Sequence, residues 1–381
     1  MTMEAAIERT AVCRPSQHPL NQQLVNLHKR MKVHHSHVDR VCFVLYDTRD
    51  HLLKTYADSA GLALSIAHDE APISSLPALK QCIETRGYAV LSDLHCLRTS
   101  ALIESLLNEG YQSSLVIPTF SSTQFRGFIF LISLDKNAFY EHDFSQLKPY
   151  LEMLQSAILS EFELVNELVE KAHRLVARSP VYQRESYAHK QRVADYTNRI
   201  ALGLADQYDF DDEWVEHLTL FAQFHDIGKV MLPAELLCKQ SPLTSQELIL
   251  LQSHIFQGES LLEQLALELG EAQHPSIELF HDIIAYHYEF LDGSGYPRQL
   301  RAEEIPISAR IVCVANIFDA LTSHKPYKQA WSIPYALLEL EKMVGEGKLD
   351  CDCVNVLREH QHLLKAIIAR YPERDPKDGC Y

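Results

Sequence analysis

The chain has 381 residues, 46% hydrophobic and 23% charged, with a formal net charge of −16, so it exceeds one ordinary core and suits two domains. That acidity excludes a general nucleic-acid binder, which carries a basic footprint, though a few placed lysines can still hold one small anion. No run of about eighteen apolar residues is present to span a membrane, and nine scattered cysteines without a Cys-x-x-Cys pair argue against a structural zinc site.

In chain order, residues 1–37 form a polar extension with a helix expected around 19–35. Its first twenty residues lack the basic-then-apolar order of a signal peptide. With unpatterned thiols, this leads to an expected cytoplasmic address. The runs "VDRVCFVLYD" (38–47), "YAVLSDL" (88–94), "YQSSLVIPTF" (111–120) and "GFIFLIS" (127–133) are β-branched and aromatic, which predicts strands. Between them "SSLPALKQCIETRG" and "LRTSALIESLLNEG" predict helices, each stopping at a glycine. Strands interleaved with short helices make an α/β module of residues 38–145. It has no glycine-rich phosphate loop, and Cys42, Cys82 and Cys96 form no conspicuous attachment site. A ligand-sensing role and a ligand-free scaffold role both stay open.

A linker helix is expected over 146–179. Leu147, Leu151, Leu154, Ile158, Phe162, Val165, Leu168 and Ala172 recur at steps of three and four. That stripe serves either as a coiled-coil seam between two copies or as a face packed on the chain's own domains. From 180 to 381 strand signals nearly vanish and helical periodicity takes over, which predicts an all-α domain.

The strongest local signal is "FHDIGKV", residues 224–230. On a helix, adjacent His225 and Asp226 diverge by about 100°. They can still grip one ion, with the carboxylate free to bridge a second. Lys229 lies one turn on, and Gly228 permits close approach of another helix or a ligand. Upstream, Glu185 and His189 stand at i and i+4 on one helix face. Downstream come His254 in "LQSHIFQGESLL" and His287 in "AYHYEFLDGSGYP". Imidazole and carboxylate ligands without thiolate suit Fe, Mn or Zn, and such residues on separate helices build a buried di-metal site. His281-Asp282 imitates the motif and is expected to be an exposed pair. Tyr296 sits in "DGSGYP", which is strong turn chemistry in its own right.

Six blocks occur in order: "HKQRV" at 189–193, "HDIGK" at 225–229, "SHIFQG" at 253–258, "HYEFLDGSGYP" at 287–297, "IPISARIVCVANIFDALTS" at 305–323 and "KPYK" at 325–328. With these, residues 180–370 resemble the HD-GYP family, a branch of the HD-domain metal phosphohydrolases. The pattern and spacing of residues 38–145 resemble a GAF domain. The resemblance implies an all-helical C-terminal bundle and two or three divalent ions, iron or manganese. It implies hydrolysis of cyclic di-GMP to pGpG or GMP, under an N-terminal regulatory domain that takes a small-molecule effector. It places Glu185, His189, His225, Asp226, His254 and His287 at ligand positions, with Asp226 bridging. Lys229 stands near the ions to stabilise developing negative charge. Gly295, Tyr296 and Pro297 form the loop beside the substrate, and Lys325 and Lys328 hold its phosphates and bases.

Lys325 stands where the family usually has arginine; lysine keeps the charge but loses the bidentate fork. Two further departures matter more. Tyr288 stands where a second histidine is expected. Asn316 stands where the late aspartate ligand is expected, and Asp319 aligns with an aspartate that is no ligand. Asn316 offers only a neutral carbonyl oxygen, and a phenol ligates readily only as phenolate, with an ordinary pKa of about 10. Three functions therefore stay open: an active cyclic di-GMP phosphodiesterase, a weak or inactive receptor of that messenger signalling through protein partners, and a phosphohydrolase of another nucleotide.

Overall fold

The computed structural model describes residues 19–47, 51–60, 70–73, 76–97, 101–177, 187–239, 241–323 and 330–372. These divide into two compact units. One holds 19–166 with Phe210–Glu216, and the other holds Glu167–Asp209 with 217–372.

The first unit opens with helix α1 (Pro19–Lys32), close to the expected span. Six strands follow: β1 (Arg40–Asp47), β2 (Leu52–Asp58), β3 (Glu70–Pro72), β4 (Ala89–Leu91), β5 (Ser113–Ser121) and β6 (Gln124–Ser133). They form one antiparallel sheet in the order β3-β2-β1-β6-β5-β4. Side chains alternate between the faces of a strand, and here both faces are covered. Val41, Phe43, Leu115, Ile117, Ile129 and Leu131 pack on one side with Leu20, Leu24 and Leu27 of α1. Cys42, Val44, Val116, Phe128, Phe130 and Ile132 pack on the other. Against that second face lie Leu79 and Cys82 of α2 (Pro77–Thr85), and Ile103 and Leu106 of α3 (Ala101–Asn108). Burial on both faces explains why the strands read as continuous apolar runs.

Three expectations shift. Strands β2 and β3 are additional to those predicted. Helix α2 ends with Arg86, not Gly87, in the left-handed conformation (φ 51°). Helix α4 (Glu141–Ala177) starts before residue 146 and runs through Pro149. Its Leu147, Leu151, Leu154 and Ile158 are buried in the same core as α1 and the sheet. Packing within its own unit therefore uses this part of the stripe, and these residues are not left over for a seam between copies.

The second unit is helical. Helices α5 (Tyr187–Tyr208), α6 (Asp212–Ala222), α7 (Ala234–Leu237), α8 (Ser245–Gln252), α9 (His254–Leu269), α10 (Pro275–Tyr286) and α11 (Ile307–Thr322) are followed by α12 (Ile333–Gly345), α13 (Cys351–Glu359) and α14 (Gln361–Arg370). Helix α11 packs on α5 and α10, and α9 packs on α10. The buried stripe of α5, Val193, Tyr196, Ile200 and Leu204, meets α11 through an edge-to-face contact of Tyr196 with Phe318. Among the described residues no helix is long and apolar enough to cross a membrane.

Candidate metal centre

His225 and Asp226 are not on a helix. They occupy the turn between α6 and a 3-10 segment, Ile227–Met231. Bonds from Ile227 N–H to Phe224 O (2.9 Å) and from Lys229 N–H to Asp226 O (3.0 Å) tighten the backbone there. In such geometry residues three apart eclipse, so Lys229 stands directly over Asp226 and its ammonium pairs with Oδ2. The tight turn exists because another backbone lies against it. A Cβ on Gly228 would fall 1.9 Å from His254 O and 2.5 Å from Gly258 N. Glycine at 228 thus lets the turn touch the start of α9, which brings Asp226 beside His254.

Three imidazoles are held by one device. Nδ1 of His225 is 2.8 Å from Ala222 O, Nδ1 of His254 is 2.6 Å from Leu251 O, and Nδ1 of His287 is 2.8 Å from Ile283 O. A carbonyl oxygen only accepts, so each Nδ1 carries the hydrogen and each neutral ring presents its Nε2 lone pair. Those Nε2 atoms converge on Asp226. His254 lies 2.9 Å and His287 3.5 Å from Oδ1, and His225 lies 3.2 Å from Oδ2.

His254 Nε2, His287 Nε2 and Asp226 Oδ1 are buried and make no hydrogen bond. At 2.9 Å, His254 Nε2 and Asp226 Oδ1 are close enough to share one positive charge between them, a proton or a metal ion. Ligand atoms about 2.1 Å from one ion and roughly at right angles stand about 3 Å apart. The donor set therefore fits a divalent ion. One carboxylate facing different imidazoles from its two oxygens also fits a bridging role between two ions.

Protonation states agree. Burial alone would raise the pKa of Asp226, but Lys229 and His225 override it and hold the carboxyl well below its usual range. Burial pushes His287 down to about 4, which keeps its imidazole neutral. Burial, then Tyr288 and Asp226, push the Tyr296 phenol well above its usual value, so it stays protonated.

His189 joins from α5, its ring 5.7 Å from that of His225. Its Nδ1 is 2.7 Å from Oδ2 of Asp319, a residue fully buried on α11. Asp319 also accepts from Arg192 Nε (2.5 Å) and from Ser323 Oγ (3.0 Å). Burial would raise Asp319, but the His189 and Arg192 hydrogen bonds keep it below the ordinary value. A carboxylate on the far nitrogen of a ligating histidine fixes its tautomer and raises its basicity. The sequence reading missed this role for Asp319 and for Arg192. The signal was present: Asp319 interrupts a buried face of Val312, Ala315, Phe318 and Thr322, and Arg192 sits one turn from His189. Asn316 lies half-buried on α11, one turn before Asp319. Glu185, Lys325 and Lys328 lie outside the described residues.

The Gly295-Tyr296-Pro297 loop is built onto the residues after His287. A Cβ on Gly295 would fall 2.3 Å from Phe290 N, so only glycine fits that crossing. Buried Glu289, also missed, accepts the N–H of Arg298 (2.6 Å) and of Leu300 (3.0 Å). The Tyr296 ring stacks on Tyr288 at 4.8 Å. His281, by contrast, faces Glu259 (3.2 Å) and Asp282 (3.8 Å) with its side chain 41% exposed, outside the centre.

A helical unit that aims imidazoles and one carboxylate at a common point belongs to the class of metal-dependent helical domains. The HD-domain family model matches residues 163–353, half of the sequence, and the chain belongs to that family. It is similar to 3'3'-cGAMP-specific phosphodiesterase 2 of Vibrio cholerae serotype O1, 33% identical over 61% of this chain and 44% of the relative. A cyclic di-GMP phosphodiesterase of Thermotoga maritima is 33% identical over 51% of this chain and 50% of the relative. A cyclic di-GMP phosphodiesterase response regulator of Xanthomonas campestris pv. campestris is 35% identical over 46% and 44%. The chain thus spans about half the length of the curated relatives it matches. Among solved structures, the GAF domain of a Bacillus halodurans two-component sensor histidine kinase aligns with 37% of this chain and 94% of its own, at 19% identity and a TM-score of 0.32.

Proposed function

We propose that this chain is a metal-dependent phosphodiesterase that opens cyclic di-GMP to pGpG or GMP. The observation that carries the reading is the convergence of buried Nε2 lone pairs on the carboxylate of Asp226. His189, His225, Asp226, His254 and His287 would hold two iron or manganese ions, with Glu185 and Asn316 as further ligands and room for a third ion left open. When bound, such ions activate water, neutralise phosphoryl oxygens and assist the leaving alkoxide.

The chain's own residues do the rest. Asp319 keeps His189 in its ligating tautomer, and the backbone carbonyls of Ala222, Leu251 and Ile283 do so for the other three. Lys229 keeps Asp226 ionised and adds positive charge where negative charge develops. Tyr296, held as a neutral phenol on a loop anchored by Glu289, is a hydrogen-bond donor beside the substrate. Lys325 and Lys328 add phosphate contacts. In the same proposal the α/β unit is a GAF-like regulatory domain answering a small effector, and the protein works in the cytoplasm, as a homodimer and with signalling partners.

A second substrate, 3'3'-cGAMP, is favoured by the name of the Vibrio cholerae relative. The test is hydrolysis of both cyclic dinucleotides by the Fe- or Mn-loaded chain. Turnover of cyclic di-GMP supports the proposal, and turnover of 3'3'-cGAMP alone moves it to the second substrate. Tight binding without turnover of either would replace the enzyme by a receptor.

A further inference from the structure

Tyr288 follows a ligand position, and its phenol ring is packed among three others. Its centroid is 4.4 Å from the His287 ring, 5.6 Å from the His254 ring in an edge-to-face arrangement, and 4.8 Å from the Tyr296 ring, stacked at 15°. The backbone repeats the tie, since Tyr296 N–H donates to Tyr288 O at 3.1 Å. Gly295 lies on the backbone of 289–290, and Glu289 fastens Arg298 and Leu300. The substrate loop is therefore assembled on residues 288–290, with the ring of Tyr288 stacking it on a ligand-bearing turn.

We propose that Tyr288 is a positioning residue. Its ring, wedged against His287 and His254, holds Tyr296 at the mouth of the metal centre and does not itself ligate an ion. The inference rests on the metal-centre reading above. The flat face of the Tyr288 phenol is well suited to stacking, and it lies on the Tyr296 ring at 4.8 Å and 15°. The loop enters substrate binding already ordered, so less ordering remains to be done when the dinucleotide arrives.

The test uses the full chain loaded with iron, and the variants Tyr288→Phe and Tyr288→Leu. Metal per chain is measured by elemental analysis, loop order by hydrogen exchange of the 293–300 amides, and binding by KM. Tyr288→Phe, which keeps the ring and removes the hydroxyl, is expected to retain full metal content and the protection of the Tyr296 amide. Tyr288→Leu is expected to retain metal but lose that protection, and to raise KM about two- to tenfold, the size of one aromatic pair, with a smaller change in kcat. Loss of metal in Tyr288→Phe would overturn the proposal. So would a visible phenolate-to-iron absorption band in the oxidised wild type that vanishes in Tyr288→Phe. Metal content and amide exchange need no turnover, so a chain that hydrolyses neither cyclic dinucleotide would sink the proposed function while these readings still decide Tyr288.

Discussion

The dipeptide His225-Asp226 recurs in the same helical unit as His281-Asp282, and the two pairs behave in opposite ways. At 225–226 the imidazole is buried, its Nδ1 hydrogen is committed to Ala222 O, and its Nε2 faces a carboxylate that has no proton to give. At 281–282 the imidazole is partly exposed, and both nitrogens face carboxylates, Asp282 and Glu259. Pairing with those two carboxylates raises its pKa to about 9. One pair turns the imidazole Nε2 toward the carboxylate of its own neighbour, deep in the unit. The other has already satisfied itself with a proton. What separates them is the carbonyl within reach of Nδ1 and the depth of burial.

The comparison breaks most visibly at Asp226. Asp226→Ala is expected to lower turnover of cyclic di-GMP by roughly 10³-fold or more, whereas Asp282→Ala leaves it near wild type. Equal losses in steady-state assays of the two would erase the distinction. Next comes the residue that orients rather than ligates. Asp319→Asn keeps shape but removes the charge facing His189 Nδ1, and metal affinity is expected to fall about 10- to 100-fold. Chelator competition measures it, and unchanged affinity would remove Asp319 from the centre. Asn316→Asp adds one negative charge at an expected ligand position, and a rise in affinity of about tenfold is expected in the same titration. No rise would take position 316 out of the ligand set.

The smallest effect is on pH. Because the pKa of folded His281 lies above its ordinary 6.5, its ion pairs stabilise the fold fully below about pH 6.5, and that contribution fades as pH rises through 9. An NMR titration should find the His281 midpoint near 9, and Glu259→Gln should lower it. A midpoint near 6.5 in the wild type would contradict the ion-pair geometry.

The residues that converge on Asp226 were legible because they are carried in short motifs. His225, Asp226, His254 and His287 do converge, and His189 joins through His225. Gly228 was read as a close-approach residue, and it meets the backbone of α9. What escaped depends on long-range packing. Asp319 gains its role only when α11 lies on α5, 130 residues from His189. The turn at 225–226 read as helix because its tightening is imposed by the backbone of His254 and Gly258. Strand β2 escaped because the short run 52–58 takes its meaning from pairing with β1. The apolar stripe of α4 was legible as a stripe, and its part from Leu147 to Ile158 packs on the sheet of its own unit. Periodicity reports that a face is covered and is silent about what covers it.

The most direct test of the central claim is the metal content of the purified full chain after loading with iron or manganese, wild type beside Asp226→Ala. The account predicts about two ions per wild-type chain and close to none in the variant. Equal metal in both, or none in the wild type, would contradict it.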